Sequence, residues 1–448
     1  METVIRIIQF FMSLTLLVTV HEFGHFIMAR AFKIRVDKFY IFFDWGFSLF
    51  KFKRGETEYG MGWLPLGGYC QIAGMIDENQ KSKDLASEPQ AWEFRSKPAW
   101  QRFCVLVAGV TMNVITAFVI YCGISYAWGE QYLANEDVVA GYGYSFNADG
   151  ESLGFRDGDG IISINDENIV NSASVLSRII LADGDLQVML LRNGYPTGVV
   201  VPYEKINQLR KKEDFGEVCR VLQPFIIDSL VSETAAASGL QSGDRIVGID
   251  GAEELDFVAY NSLLLERADK NAELMVERNG EKLAVVVPVN GEGKIGVTIK
   301  PLPYTLKTRD YTLFESIPAG LSLTGKTIVN YWNQLKLIVK PDTGLYKQVG
   351  GFIAIGKIFP GTWDWYAFWS MTAFLSIILA IMNIIPIPGL DGGHTLFTLW
   401  EMITRRKVSE RVLEIAQYIG LFLLRALAML AICSLALHHR ASAPSQGS

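Results

Sequence analysis

Histidine is scarce in this chain. There are five among 448 residues, namely His21, His25, His394, His438 and His439, with none between His25 and His394. A histidine-bound metal therefore has to be built by bringing the two ends of the chain together. His438 and His439, adjacent at the end of the last apolar run, read as an anchor at a membrane exit. Cysteine is equally thin. Cys104, Cys122 and Cys433 fall in apolar runs and Cys70 in a loop, which leaves Cys219 alone between residues 129 and 365. That excludes an intrachain disulfide in this region, and Cys219 reads as a small buried hydrophobe. An excess of basic charge is also missing, with 41 Lys and Arg against 47 Asp and Glu and a net charge of −6. A nucleic-acid binder needs the opposite balance.

Long apolar runs, by contrast, are plentiful. Ile5 to Ala29, Phe103 to Trp128, Phe368 to Ile385 and Val412 to Leu437 can each span a bilayer, which takes about 20 residues. Basic residues flank them asymmetrically. Arg30, Lys33, Arg35 and Lys51 follow the first run, and Arg405, Arg406 and Lys407 follow the third. The positive-inside rule makes both of these loops cytoplasmic and the stretch from Gly129 to Trp365 extracytoplasmic.

Inside the first apolar run stands His21-Glu22-Phe23-Gly24-His25. A spacing of four puts both imidazoles on one helix face, where they can hold one zinc ion, and sets Glu22 beside them as a base toward water. Ionisable side chains at membrane depth cost several kcal/mol and mark function. Two histidines leave a catalytic zinc short of a protein ligand. The segment Asn383-Ile384-Ile385-Pro386-Ile387-Pro388-Gly389-Leu390-Asp391 ends the third run with backbone that cannot stay helical. Broken backbone at that depth must be buried in protein or line a cavity, so Asp391 reads as an oxygen ligand reaching His21 and His25.

The extracytoplasmic stretch repeats itself. Gly154-Phe155-Arg156-Asp157-Gly158-Asp159 returns as Gly239-Leu240-Gln241-Ser242-Gly243-Asp244, Arg192-Asn193-Gly194 as Arg278-Asn279-Gly280, and Val199 to Pro202 as Val285 to Pro288. Aligned blocks of this kind mean two copies of one domain. The Gly-Asp turns resemble those of PDZ domains, which implies grooves that accept an extended peptide as an added strand. Two β-rich spacers that bind nothing are the alternative. Farther on, Leu313 to Val339 reads as an amphipathic helix, lying at the outer membrane surface or packed on the repeats. On the cytoplasmic side Lys38 to Ile72 reads as glycine-bearing hairpin strands after the zinc helix, with Gly67 and Gly68 open to close approach by substrate.

Together, the two motifs, the four spans and the repeated domain resemble the bacterial site-2 protease family, of the regulator-of-sigma-E protease type. The resemblance implies that Asp391 is the third zinc ligand, that Asn383, Pro386 and Pro388 hold substrate, and that His394 supports the site or belongs to its loop. The implied activity is zinc-dependent cleavage inside the transmembrane segment of another membrane protein, such as an anti-sigma factor or a signal-peptide remnant. The implied location is the bacterial inner membrane, as a multi-pass protein whose PDZ-like domains gate substrate by size. The lipid bilayer and single-span membrane proteins are the expected partners. The expected fold is a polytopic α-helical membrane protein with four transmembrane helices, a membrane-associated β-hairpin region and two PDZ-like β-rich domains. Its parts run as a first transmembrane helix (1–30), a cytoplasmic-side loop and hairpin region (31–101), a second helix (102–128), PDZ-like domains over 129–206 and 207–302, an amphipathic helix and linker (303–366), a third transmembrane segment (367–395), a cytoplasmic loop (396–411), a fourth helix (412–438) and a tail (439–448).

Overall fold

The computed structural model describes residues 2–75, 88–212, 218–253, 256–343, 359–387, 389–409, 411–413, 415, 416, 418–420 and 422. The chain divides into two compact units, Met1–Gly129 with Asp310–Asn333 and Val349–Ser448, and Glu130–Arg309 with Gln334–Gln348. Among the described residues, three helices of the first unit are long and apolar enough to cross a membrane: α1 (Glu2–Ala31), α2 (Ala99–Trp128) and a third at Trp365–Ile384. Most of the expected fourth span and the whole tail lie outside the described residues.

α1 and α2 meet along matching ridges. The buried face of α1 carries Gln9, Ser13, Leu17, His21 and His25, and that of α2 carries Val105, Gly109, Asn113, Ala117, Tyr121 and Ser125. Both ridges step by four residues, the spacing that lets two helices interdigitate. Small side chains bring the backbones close. A Cβ on Gly24 would stand 2.5 Å from the Ala108 carbonyl oxygen.

Between these helices a long hairpin, β1 (Val36–Arg54) and β2 (Thr57–Ile72), folds back on itself. Tyr40 faces Tyr69 on one side and Gly60 on the other, and Lys51 then pairs with Gly60 from beyond. The glycine positions follow from Tyr40, which is 2% exposed. A Cβ on Gly60 would overlap its ring at 2.4 Å, and one on Gly68 would meet its carbonyl oxygen at 2.5 Å. The far end of the hairpin exposes aromatic side chains, with Trp45 79% exposed.

Later in the chain come α3 (Leu313–Val339), which belongs to the first unit only as far as Asn333, and, in the first unit, α4 (Trp365–Ile384) and α5 (Asp391–Thr404). A reciprocal cap starts α3, Thr312 N donating to Glu315 and Glu315 N to Thr312 Oγ1, as a capping box requires. Up to Asn333 this helix touches α2 and α4, through Gly320 at Cys122, Thr327 at Tyr121 and Tyr331 at Phe374, while from Gln334 on it groups with the repeats, one of the two placements its apolar spacing suggests. Where 396–411 reads as a loop, α5 continues the chain as helix to Thr404. The prolines that break α4 end before Asp391, and no proline after it prevents a new helix.

The second unit holds two cores. One gathers Tyr144, Phe155, Ile161, Val188 and Val201 with Leu209, Val218 and Cys219, and the other gathers Phe225, Ile246, Leu274 and Val287. A division at 206/207 therefore fails. Strand Cys219–Val221 pairs with Tyr144–Phe146, so the first copy runs on to Val221. The repeated blocks stop short of this strand, which is why the sequence misplaces the boundary. Burial pushes the Cys219 thiol up to about 12, in keeping with an inert core residue.

One buried ion pair recurs in both copies. Arg192 forks onto Asp159 and donates to the Gly154 carbonyl, while Arg278 does the same to Asp244 and Gly239. Each carboxylate is 1% exposed and also ties down its own turn, Asp159 at Arg156 N and Asp244 at Gln241 N. Breaking such a pair at one partner typically costs about 3–5 kcal/mol. Asp159→Ala is accordingly expected to loosen residues 144–221 while the second core stays protected. Hydrogen–deuterium exchange on the full chain checks this, and Asp244→Ala reverses the pattern.

Candidate active site

The third apolar helix stops where Ile385 precedes Pro386, since a proline ring cannot sit on a continuing helix. The chain then doubles back through Gly389, at φ +92°, before α5 begins at Asp391. Gly392 allows the reversal, because a Cβ there would lie 2.1 Å from the Ile385 carbonyl oxygen. Asp391 thereby occupies the first turn of a helix, where the N-terminal dipole favours a carboxylate. It faces α1.

Three ligand atoms converge. Asp391 Oδ2 lies 2.9 Å from His21 Nε2 and 3.1 Å from His25 Nε2, and the two Nε2 atoms are 3.2 Å apart. His21 and His25 are 8% and 6% exposed. Two neutral imidazoles that point lone pairs at each other need a cation between them. The donor set suits zinc, and ligands about 2.0–2.1 Å from a tetrahedral centre lie roughly 3.3 Å from one another, close to the triangle seen here. Among the described residues this is the one cluster of three or more such side chains that could hold a metal.

The other ring nitrogens face α2. His25 Nδ1 sits 2.8 Å from the Val105 carbonyl oxygen, and His21 Nδ1 sits 3.3 Å from Asn113 Nδ2. Gly109 lies between them, and a Cβ there would come within 2.6 Å of both rings.

Beside the triad is a cavity of about 280 Å³ walled by Val18, His21, Glu22, Asn113, Asn383, Asp391 and His394, among others. Glu22 is half-buried, one residue from His21, and the Cys70 backbone N–H of β2 donates to its carboxylate. Asn383 and His394 both line the cavity, His394 from the first turn of α5 and not from a loop. The remaining expected substrate residues are dispersed. Gly67, at φ +143°, abuts Val18 and so borders the cavity wall, whereas Gly68 backs onto Tyr40. Pro386 is exposed and is not one of the wall residues, and Pro388 lies outside the described residues. Val105, Gly109 and Asn113 are site residues that no sequence motif singles out. Their i, i+4, i+8 spacing in an apolar helix was the available signal.

The sequence profile of peptidase family M50 matches residues 9–427. Similar sequences include a putative zinc metalloprotease of Xylella fastidiosa (strain 9a5c), 28% identical over 94% of this chain and 96% of the relative. Regulator of sigma-E protease RseP of Salmonella typhimurium (strain 14028s) is 31% identical over 94% of this chain and 96% of its own length. RseP of Escherichia coli (strain K12) is 30% identical over 95% and 96%. Purified chain is expected to carry about one zinc, as one triad of ligands requires. Elemental analysis should find that metal lost from Asp391→Ala as fully as from His25→Ala; retention in the first variant removes Asp391 from the site.

Proposed function

The chain belongs to peptidase family M50 and is an intramembrane zinc metalloprotease, and on that premise we propose that it hydrolyses peptide bonds within the transmembrane segments of other membrane proteins. His21, His25 and Asp391 hold the zinc and Glu22 is the general base. The observation that carries this reading is the meeting of the three ligand atoms with Glu22 at the wall of one cavity, where α4 breaks.

When bound, zinc polarises the scissile carbonyl and lowers the pKa of water toward neutrality. The chain's own groups supply the rest. Glu22 takes the proton of the attacking water and delivers it to the leaving amine, as a base within reach of both must. A helical substrate hides its peptide bonds in hydrogen-bonded turns and has to be drawn out straight before cleavage. An extended segment can add as a strand beside β2, whose Gly67 backbone borders the cavity and can align it. The Asn383 amide in the cavity wall fixes the substrate backbone on the opposite side.

The basic flanks of the spans support a bacterial inner-membrane orientation in which the two repeats lie outside. Anti-sigma factors and signal-peptide remnants are the substrates we propose; the relatives from Salmonella and Escherichia carry the name regulator of sigma-E protease. Following chain order, the repeats sit between the second and third spans, and we propose that these PDZ-like domains exclude substrates whose external portion has not been trimmed.

Two outcomes are expected. Glu22→Gln keeps size and shape but cannot accept a proton, so zinc content and substrate binding stay near wild type while cleavage of a single-span reporter falls by about 10²-fold or more. Near-normal turnover in this variant would sink the mechanism. For the gate, residues 133–306 can be excised between strands Glu130–Tyr132 and Lys307–Arg309, which pair with each other. Cleavage of a reporter with an intact external domain should then appear while that of a trimmed reporter is unchanged. Loss of the trimmed activity instead would indicate that the repeats recruit substrate.

A further inference from the structure

The zinc-ligand reading leaves a buried polar group on α2 unexplained. Asn113 is 0% exposed, yet its Oδ1 has no hydrogen-bond partner among the described residues. An orphaned buried acceptor costs about 1–3 kcal/mol, and such a group in a native interior calls for a reason. Its Nδ2 faces His21 Nδ1 at 3.3 Å.

The neighbouring histidine shows what that reason is. A carbonyl oxygen can only accept, so the contact between His25 Nδ1 and Val105 O at 2.8 Å puts the proton on Nδ1 and leaves the Nε2 lone pair free for Asp391's side of the site. His21 presents its Nε2 to the same point, so it too must carry its proton on Nδ1. That proton needs an acceptor. Turning the Asn113 amide about χ2 exchanges oxygen and nitrogen within one envelope, which gives His21 Nδ1–H its acceptor and gives Oδ1 a partner. Ser376 Oγ donates to the Asn113 backbone oxygen at 2.7 Å, so this point of α2 is pinned to α4, the helix that leads to Asp391. Gly109, one turn earlier, keeps the face clear for both rings.

We propose that Asn113 is a positioning residue: its amide oxygen holds His21 in the tautomer and orientation that ligate zinc through Nε2, on a face of α2 that Val105 and Gly109 complete. The proposal rests on His21 being a ligand. A merely structural Asn113, hydrogen-bonding between helices as polar residues do in membranes, would affect stability and not zinc.

The test compares purified full-length wild type, Asn113→Leu, Asn113→Asp and His21→Ala in detergent, with zinc affinity from chelator competition and thermal unfolding measured on each. The expected result is that Asn113→Leu binds zinc about 10–100-fold more weakly at a near wild-type unfolding temperature. Asn113→Asp, which keeps an acceptor at the same place, should hold zinc as well as wild type or better. Wild-type affinity in Asn113→Leu, or equal weakening in both variants, overturns the proposal. If His21→Ala itself binds zinc normally, it is the ligand reading that fails. Should the variants not fold, ¹⁵N NMR of zinc-loaded wild type labelled at its five histidines decides. The signals that disappear in His21→Gln should report a protonated Nδ1, and a proton on Nε2 with zinc on Nδ1 overturns the assignment.

Discussion

Asp391 Oδ2 lies within 3.1 Å of two imidazole nitrogens that come from the other end of the chain. Three polar groups gathered among apolar helices are costly singly and stable only as a set with a cation, because unpaired charge at membrane depth has no solvent to turn to. Much of the first unit can be understood as meeting that condition. α1 supplies the histidines, α4 and α5 deliver the carboxylate, and α2 stands between them with its smallest residue, Gly109, against the rings.

α2 carries no ligand and yet orders the site. Its ridge from Val105 to Ser125 packs on α1, Arg102 at its start pairs with Glu401 of α5, and the Asn113 carbonyl accepts from Ser376 of α4. The elements that must meet are thus each fastened to one helix. Helix packing, rather than a long loop, sets the distances between residues 370 positions apart. The break after Ile384 belongs to the same economy of parts. It ends α4, frees backbone near the cavity and starts α5 at Asp391, so in the proposed mechanism one irregularity serves both the metal and the substrate path.

The repeats follow a different logic. Each has a separate core and its own Arg–Asp fork that locks the Gly-Asp turn to the strand before the hairpin turn, and Arg220 at the end of the first copy pairs with the buried Asp256 of the second. Nothing in their cores needs a metal or a disulfide, in agreement with Cys219 being buried and its thiol hard to ionise.

By itself the sequence determined the first three spans, the His21-Glu22-His25 cluster, the breaking motif ending at Asp391, the bounds of the helix Leu313–Val339 and the repeat, because each is written in local periodicity, in proline and glycine chemistry or in recurring blocks. It did not determine where the first repeat closes, since strand Cys219–Val221 joins Tyr144–Phe146 only through long-range pairing. Nor did it tell that 396–404 is helical, or that α3 packs on α2 and α4, because an amphipathic pattern names a buried face without naming its partner. Only the tertiary structure decided what stands behind the histidines. Val105, Gly109 and Asn113 look like ordinary residues of an apolar span until α2 is laid against α1, and their roles reside in a carbonyl, an absent side chain and an amide whose meaning comes from what they face.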